Sequence, residues 1–385
     1  MRIGIDALPL LRSRTTGIQN HARGLCRSLA ELAPQDEFLL FYERSARSLE
    51  DFDDSFVQSL GPNWRVVTGW VPGPTPRIAR FCWQAWALPR LLERHAVRVY
   101  YSCTTHGPYR GRCPYAITIH DLAKEACGKN AAAPRDVSRL AERAERVFAV
   151  SEATARDVQR LLGVSPDRLV TIHDAPAIGI APVPPERQEA FCRNLGLSRG
   201  KFLLCVGDEN WRRRYDVLWQ AMESLWAASR LQDIRVVFIG RQDWKTTNLF
   251  AMVASSSSHG GLFLSNVRDE DLSALYSSAA ATVLPTEAEG FGMPAVEAMV
   301  CRCPVVCSDI PVLHEVAGDA ARYFNLALPD ELSEAVASVV SDEKLRSEMV
   351  RRGLERASGY TWGAAAAKVL SSLRAVANPG GTAAQ

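Results

Sequence analysis

Two carboxylates eight positions apart, Glu289 and Glu297, carry the densest chemical signal in this sequence. They fall in ATVLPTEAEGFGMPAVEAMVCRCPVVCSD, residues 281–309. The stretch reads as a buried strand, a polar turn, a Gly-broken loop, a helix and a second strand. Pro294 suits the opening of that helix, because a helix start has no use for the N–H that proline lacks. The unpaired amides of a helix start, with the positive end of its dipole, favour an anion. Gly290 and Gly292, on either side of Phe291 and followed by Met293, permit tight turns and close backbone approach to a ligand. Carboxylates that accept hydroxyls, next to amides that favour an anion, describe a site for an anionic, hydroxyl-rich ligand.

A second group of charges stands where a strand meets a helix, in VGDENWRRRYDVL. Arg212, Arg213 and Arg214 bring the guanidinium fork that matches phosphate oxygens two at a time. The sequence does not choose among the three. His120 and Asp121 end another apolar strand, ITIHDL, and Gly17 follows the first strand. In open parallel sheets ligands bind beyond the carboxyl ends of strands, where all four features stand. Two come from each half of the chain, so two facing domains with a cleft between them is the simplest arrangement that gathers them.

The elements that must position these residues alternate regularly. In the first half, strands are predicted over 2–8, 37–43, 64–69, 97–103, 115–122 and 169–174, with a short one at FAVS. Helices are predicted over about 20–32, 81–95, 134–147 and 152–164. A Pro-rich stretch, APAIGIAPVPPE, reads as a linker, and strand and helix signals then restart. Strands separated by helices predict parallel sheets, hence an α/β class with two Rossmann-like domains. At 385 residues two cores are the ordinary expectation.

Composition excludes several classes. The net charge of +2 argues against nucleic acid as a partner. Residues 1–185 carry 24 Lys/Arg against 19 Asp/Glu, and residues 186–385 carry 21 against 24. The basic first half fits an anionic acceptor or a membrane surface. No run of about 18 apolar residues exists to span a bilayer, and MRIGIDALPLLR does not read as a secretory signal. The ten cysteines lack zinc-site spacing. Cys301, Cys303 and Cys307 read as core, and free thiols suit a reducing cytoplasm. Asp51 and Asp53 form an Asp-x-Asp pair in a segment that reads as surface, so no metal is expected. A Walker loop, a dinucleotide fingerprint and a nucleophile elbow are all absent.

EGFGMPAVEAMVCRCPVVCSD resembles the two-glutamate signature of the retaining glycosyltransferases of family 4, and LHEVAGDAARYF its adjoining segment. WQAWALP, ITIHDL, FAVSEATARDV and MRIGIDALPL with TTGI resemble blocks of the same family's first domain. The resemblance implies the GT-B architecture, two Rossmann-like domains facing across a cleft. It implies an acceptor domain over 1–180, a donor domain over 181–361, a helix over 362–377 crossing back to the first domain, and a tail over 378–385. It implies transfer of a sugar, mannose above all, from a GDP- or UDP-sugar to a hydroxyl of a glycan or polyprenyl-linked glycan. That transfer would need no metal and no other cofactor, and would take place in the cytoplasm with peripheral membrane contact.

Carried over residue by residue, Glu297 is expected on the ribose hydroxyls and Glu289 on the transferred sugar, beside the amides of Gly290, Phe291, Gly292 and Met293. Arg213 replaces the usual lysine on the diphosphate, with Arg212 next to it. Gly17 is expected near the diphosphate or acceptor, and His120 at the sugar. Departures from the pattern are Asp208, Arg214, Arg302, His173-Asp174 and His314. A sugar-nucleotide 2-epimerase and a silent nucleotide-binding subunit remain alternatives.

Overall fold

The computed structural model describes residues 1–11, 16–44, 55–71, 75–122, 133–240, 243–256 and 260–378. Asp51 and Asp53, the turn before Thr16, and the tail beyond Asn378 lie outside the described residues. The chain divides into two compact units. One comprises Met1–Ala175 with Thr361–Gln385, and the other Pro176–Tyr360.

The first unit is built on seven parallel strands: β1 (Arg2–Asp6), β2 (Glu37–Arg44), β3 (Trp64–Trp70), β4 (Val99–Ser102), β5 (Tyr115–Ile119), β6 (Arg146–Ala149) and β7 (Leu169–Thr171). Their order is β3-β2-β1-β4-β5-β6-β7. The chain therefore runs outward in one direction from β1 to β3, then returns to the centre at β4 and runs the other way. The strand order breaks between β1 and β4. Central strands such as VYYS and YAITI are buried along their whole length, as strands covered on both faces must be.

Thr16 caps the helix Gly17–Leu32 by accepting the Gln19 amide on its hydroxyl. Gly17 is thus the first helical residue, ahead of the start expected at about residue 20. The helix Trp362–Ala377 packs against this one within the first unit and buries Ala366, Val369 and Leu373. Gly24 makes that approach possible, because a Cβ there would lie 2.2 Å from the Trp362 ring.

The helix expected over 81–95 starts earlier and is interrupted. Thr75 caps it at Pro76, and Trp83–Ala87 widen into one π-helical turn before Leu88–Arg94. Pro89 explains the interruption: it lacks an N–H and its ring would strike the carbonyl four residues back. The helix expected over 134–147 ends at Arg143, and Arg146 and Val147 belong to β6 instead.

The second unit has six parallel strands: β8 (Phe202–Val206), β9 (Arg235–Gly240), β10 (Leu262–Ser265), β11 (Ala281–Leu284), β12 (Val305–Ser308) and β13 (Ala321–Phe324). Their order is β10-β9-β8-β11-β12-β13, which breaks between β8 and β11. Trp219, Phe238 and Tyr215 are fully buried beside Val283 and Val306 in its core. Three helices escaped the sequence reading: Pro185–Asn194, Asn248–Ser255 and Pro311–Ala317. The first and last each begin on a proline, and the first of these start signals was read as part of the linker.

Candidate active site

β8 and β11 flank the break in the second sheet, the place where doubly wound sheets bind ligands. The loop after β8 and the loop after β11 are tied together there. Arg214 N–H donates to Pro285 O at 2.7 Å, and Glu287 N–H donates to Arg212 O at 2.9 Å. Thr286 N–H donates to Ser308 Oγ at 2.8 Å, which anchors the second loop to the end of β12. The arginine loop and the Glu289 loop thus form one supported structure.

This geometry distinguishes the three arginines. Arg213 turns inward, and its Nη2 lies 2.8 Å from Glu289 Oε1 with side chains only 8% and 6% exposed. Burial works against its charge, but the Glu289 carboxylate outweighs that and raises the guanidinium above its ordinary range. Its Nη1 has no hydrogen-bond partner among the described residues. Gly207, at φ +129°, gives the guanidinium its space: a Cβ there would sit 3.3 Å from Nη2. Arg214 turns the other way and is held by Asp216 at 2.9 Å and Glu287 at 3.0 Å. Arg212 is half-buried, with its N–H donating to Asn210 Oδ1 at 3.1 Å.

Glu289 precedes the helix Met293–Val300, in which Pro294 takes the second position. Gly292 caps that helix at φ +96°, and a Cβ there would lie 2.8 Å from Leu313. Both the backbone angle and the space require glycine. Phe291 is buried, its ring edge-on to Tyr360 at 5.4 Å. That leaves the backbone from Gly290 to Met293 as the part of the loop suited to a ligand.

Glu297 sits inside the same helix and is 4% exposed. Its Oε2 accepts Tyr276 O–H at 3.0 Å and its Oε1 accepts Ala177 N–H at 3.3 Å. Burial raises its carboxyl to about 7, against the opposing pull of these two donors. Each oxygen keeps one lone pair for a further donor.

Gly17 and His120 belong to the first unit. His120 follows β5 and donates from Nε2 to Cys103 O at 2.8 Å. Burial and the neighbouring His21 lower its pKa to about 4, so the ring is neutral near pH 7 with its proton on Nε2. His21 lies edge-on to it at 4.7 Å and donates from Nδ1 to Asp174 Oδ1 at 2.6 Å. The ligand atoms of His21, His120 and Asp174 fall within 4.8 Å of one another. Three such atoms have the donor types of a divalent metal site, but two of them already bond each other.

Sequence reasoning missed His21 and gave Asp174 only as a departure from the family pattern; the two lie 153 positions apart. It also passed over Asp6 as a site residue. Asp6 is 5% exposed at the end of β1 and is held by groups near residues 102–106. A charge closing the run RIGID was the available signal.

The two doubly wound units have the GT-B fold of glycosyltransferases. Residues 187–356 match the family model Glycosyl transferases group 1, and residues 15–175 match Glycosyltransferase Family 4. The chain is 30% identical over 292 residues to O-antigen chain mannosyltransferase B of Escherichia coli, covering 72% of this chain and 74% of that protein. It is 29% identical over 294 residues to a D-inositol 3-phosphate glycosyltransferase of Kineococcus radiotolerans, covering 68% and 66%. Its fold resembles HepE of Anabaena, solved with UDP and glucose, at a TM-score of 0.73 and 15% identity over 97% of this chain and 99% of that one. It also resembles WaaG, a glycosyltransferase involved in lipopolysaccharide biosynthesis, at a TM-score of 0.72 and 14% identity over the same shares. The chain belongs to glycosyltransferase family 4.

Proposed function

We propose that this glycosyltransferase moves mannose from GDP-mannose to a hydroxyl of a glycan or polyprenyl-linked glycan in polysaccharide synthesis, with retention at the anomeric carbon and without a metal. The observation that carries the reading is Arg213: buried at the break in the second sheet, beside Glu289, and with one nitrogen that has no hydrogen-bond partner among the described residues. Such a preorganised cation meets the charge that develops on a leaving diphosphate. Arg212 and the amides from Gly290 to Met293 add donors. Glu297 takes the ribose hydroxyls on its remaining lone pairs, Glu289 the transferred sugar, and neutral His120 a sugar hydroxyl. The choice of mannose rests on the likeness to O-antigen chain mannosyltransferase B. Among the described residues no helix is long and apolar enough to cross a membrane. A lipid-linked acceptor would therefore be met by peripheral contact of the basic first half.

Thermal unfolding against a panel of nucleotide sugars tests the donor. A ligand at one hundred times its Kd stabilises by about 2.7 kcal/mol, so GDP-mannose should give the largest shift. A larger shift with UDP-sugars overturns the donor assignment. Product NMR should show an α-linkage, and activity should survive EDTA. GDP-mannose incubated without acceptor should return unchanged, whereas a new sugar nucleotide would mark an epimerase.

A further inference from the structure

The first unit has a break in strand order of its own, between β1 and β4, at which the resemblance assigns no side chain. Asp6 closes β1 there. Its Oδ1 accepts Leu8 N–H at 3.1 Å. Its Oδ2 accepts Ser102 Oγ–H at 3.2 Å, Thr104 Oγ1–H at 3.2 Å and His106 Nδ1–H at 3.3 Å. Burial opposes the charge, but His106 first, then Leu8 and Ser102, outweigh it and hold the carboxyl below its ordinary range. Asp6 is therefore ionised although buried.

A buried carboxylate is expensive to keep where an apolar strand end would serve. The amide and two hydroxyls already satisfy it, so the imidazole is not needed to close the set. A carboxylate at Nδ1 fixes the tautomer of the neutral imidazole: with the proton on Nδ1, the lone pair lies on Nε2. The His106 side chain is 25% exposed, and no hydrogen bond reaches Nε2 among the described residues. Glu43, near the end of β2, adds a second carboxyl at this edge, raised by burial against the pull of Arg80. The set offers hydrogen-bond acceptors at the place where such sheets hold ligands. It suits a neutral ligand rich in hydroxyls.

We propose that Asp6 and His106 form a hydroxyl-binding centre of the first unit, with His106 Nε2 accepting a hydroxyl of the acceptor sugar. The proposal rests on reading the chain as a transferase with a glycan acceptor. His106→Asn keeps an amide N–H for Asp6 and removes the acceptor at Nε2. With GDP-mannose as donor and octyl α-mannoside as acceptor, this variant should raise the acceptor KM about tenfold, the loss of one good hydrogen bond. Its Kd for GDP-mannose should stay within about twofold, near the scatter between equivalent sites. An unchanged acceptor KM, or an equal loss of donor affinity, overturns the proposal.

A measurement on the unaltered protein guards against a variant that does not fold. Of the seven histidine Cε1–H signals, the one lost in His106→Gln should move as octyl α-mannoside is added, and a static signal refutes the site. Wild-type protein that transfers nothing would sink the transferase reading instead. The same titration would still decide whether His106 binds a sugar hydroxyl.

Discussion

At the break between β1 and β4 the buried charge is a carboxylate, Asp6, surrounded by an amide, two hydroxyls and an imidazole. At the break between β8 and β11 it is a guanidinium, Arg213, paired with one carboxylate and with one nitrogen that has no hydrogen-bond partner among the described residues. The two sheets have the same plan, with three strands running one way from the first and the rest returning the other way. Topology thus selects the same place in each unit, and the side chains there select opposite ligands. The second unit presents donors and suits a diphosphate. The first presents acceptors and suits hydroxyl groups. Each unit is suited to one half of a sugar-transfer reaction.

The strongest way to break this contrast is Arg213→Ala. It strands the Glu289 carboxylate in a site only 6% exposed. Removing one partner of a buried pair costs about 3–5 kcal/mol of stability. Loss of a preorganised donor should also lower turnover by about 10²–10³. Urea unfolding and steady-state rates measure the two separately. Glu289→Gln combined with Arg213→Ala should be less destabilised than the two single variants added together, because the stranded charge is gone. Full additivity would mean that the ion pair contributes nothing. An unchanged rate in Arg213→Ala would move the diphosphate to Arg212, since Arg214 is already committed to Asp216 and Glu287.

Glu297 gives an intermediate effect with a definite sign. Its carboxyl is raised by burial from 4.5 to about 7. A carboxyl with a higher pKa folded than unfolded binds more protons in the folded state. Its contribution to stability is complete below about pH 4.5 and is lost as pH rises through about 7. At about 1.4 kcal/mol per unit, the loss across that window is about 3 kcal/mol. Glu297→Gln should flatten this part of the stability profile. If the ionised form receives the ribose, GDP affinity should also weaken as pH falls from 8 to 6, and the Gln variant should remove that slope. A stability profile that Glu297→Gln leaves unchanged between pH 5 and 7 would show that Glu297 stays ionised in the fold.

The two breaks differed in how legible they were. The second lies in residues close in sequence: Glu289 and Glu297 are on one loop and helix, and the arginines follow a strand. Periodicity and turn residues place such features on the carboxyl side of a sheet without any tertiary knowledge. Which arginine turns inward was not legible, because it depends on the backbone pairing of residues 212–214 with 285–287. The first break depends on contacts about 100 positions apart, between Asp6 and residues 102–106. A lone aspartate at a strand end has no local pattern to announce it. The π-turn at Trp83–Ala87 was missed for another reason: Pro89 was read within a continuous amphipathic helix, where its cost to the backbone was left out.

The smallest expected effect comes from Arg302, which stands where the family's pattern has glycine. It follows the C-cap Cys301 of the Glu297 helix and takes φ +61°. A left-handed residue with a Cβ costs about 1–2 kcal/mol. Glycine relieves that but adds about 0.5–1 kcal/mol of backbone entropy to be lost on folding. Arg302→Gly should therefore stabilise by about 0.5–1 kcal/mol in urea unfolding, the balance of those two terms. The Arg302 side chain is exposed and sits at the opposite end of the helix from the Gly292 cap. Donor affinity should accordingly be unchanged. If Arg302→Gly weakened GDP-mannose binding, the donor site would extend past the amides of Gly290 to Met293 to the far end of this helix. The contrast between the two breaks would then need a second cation on the donor side.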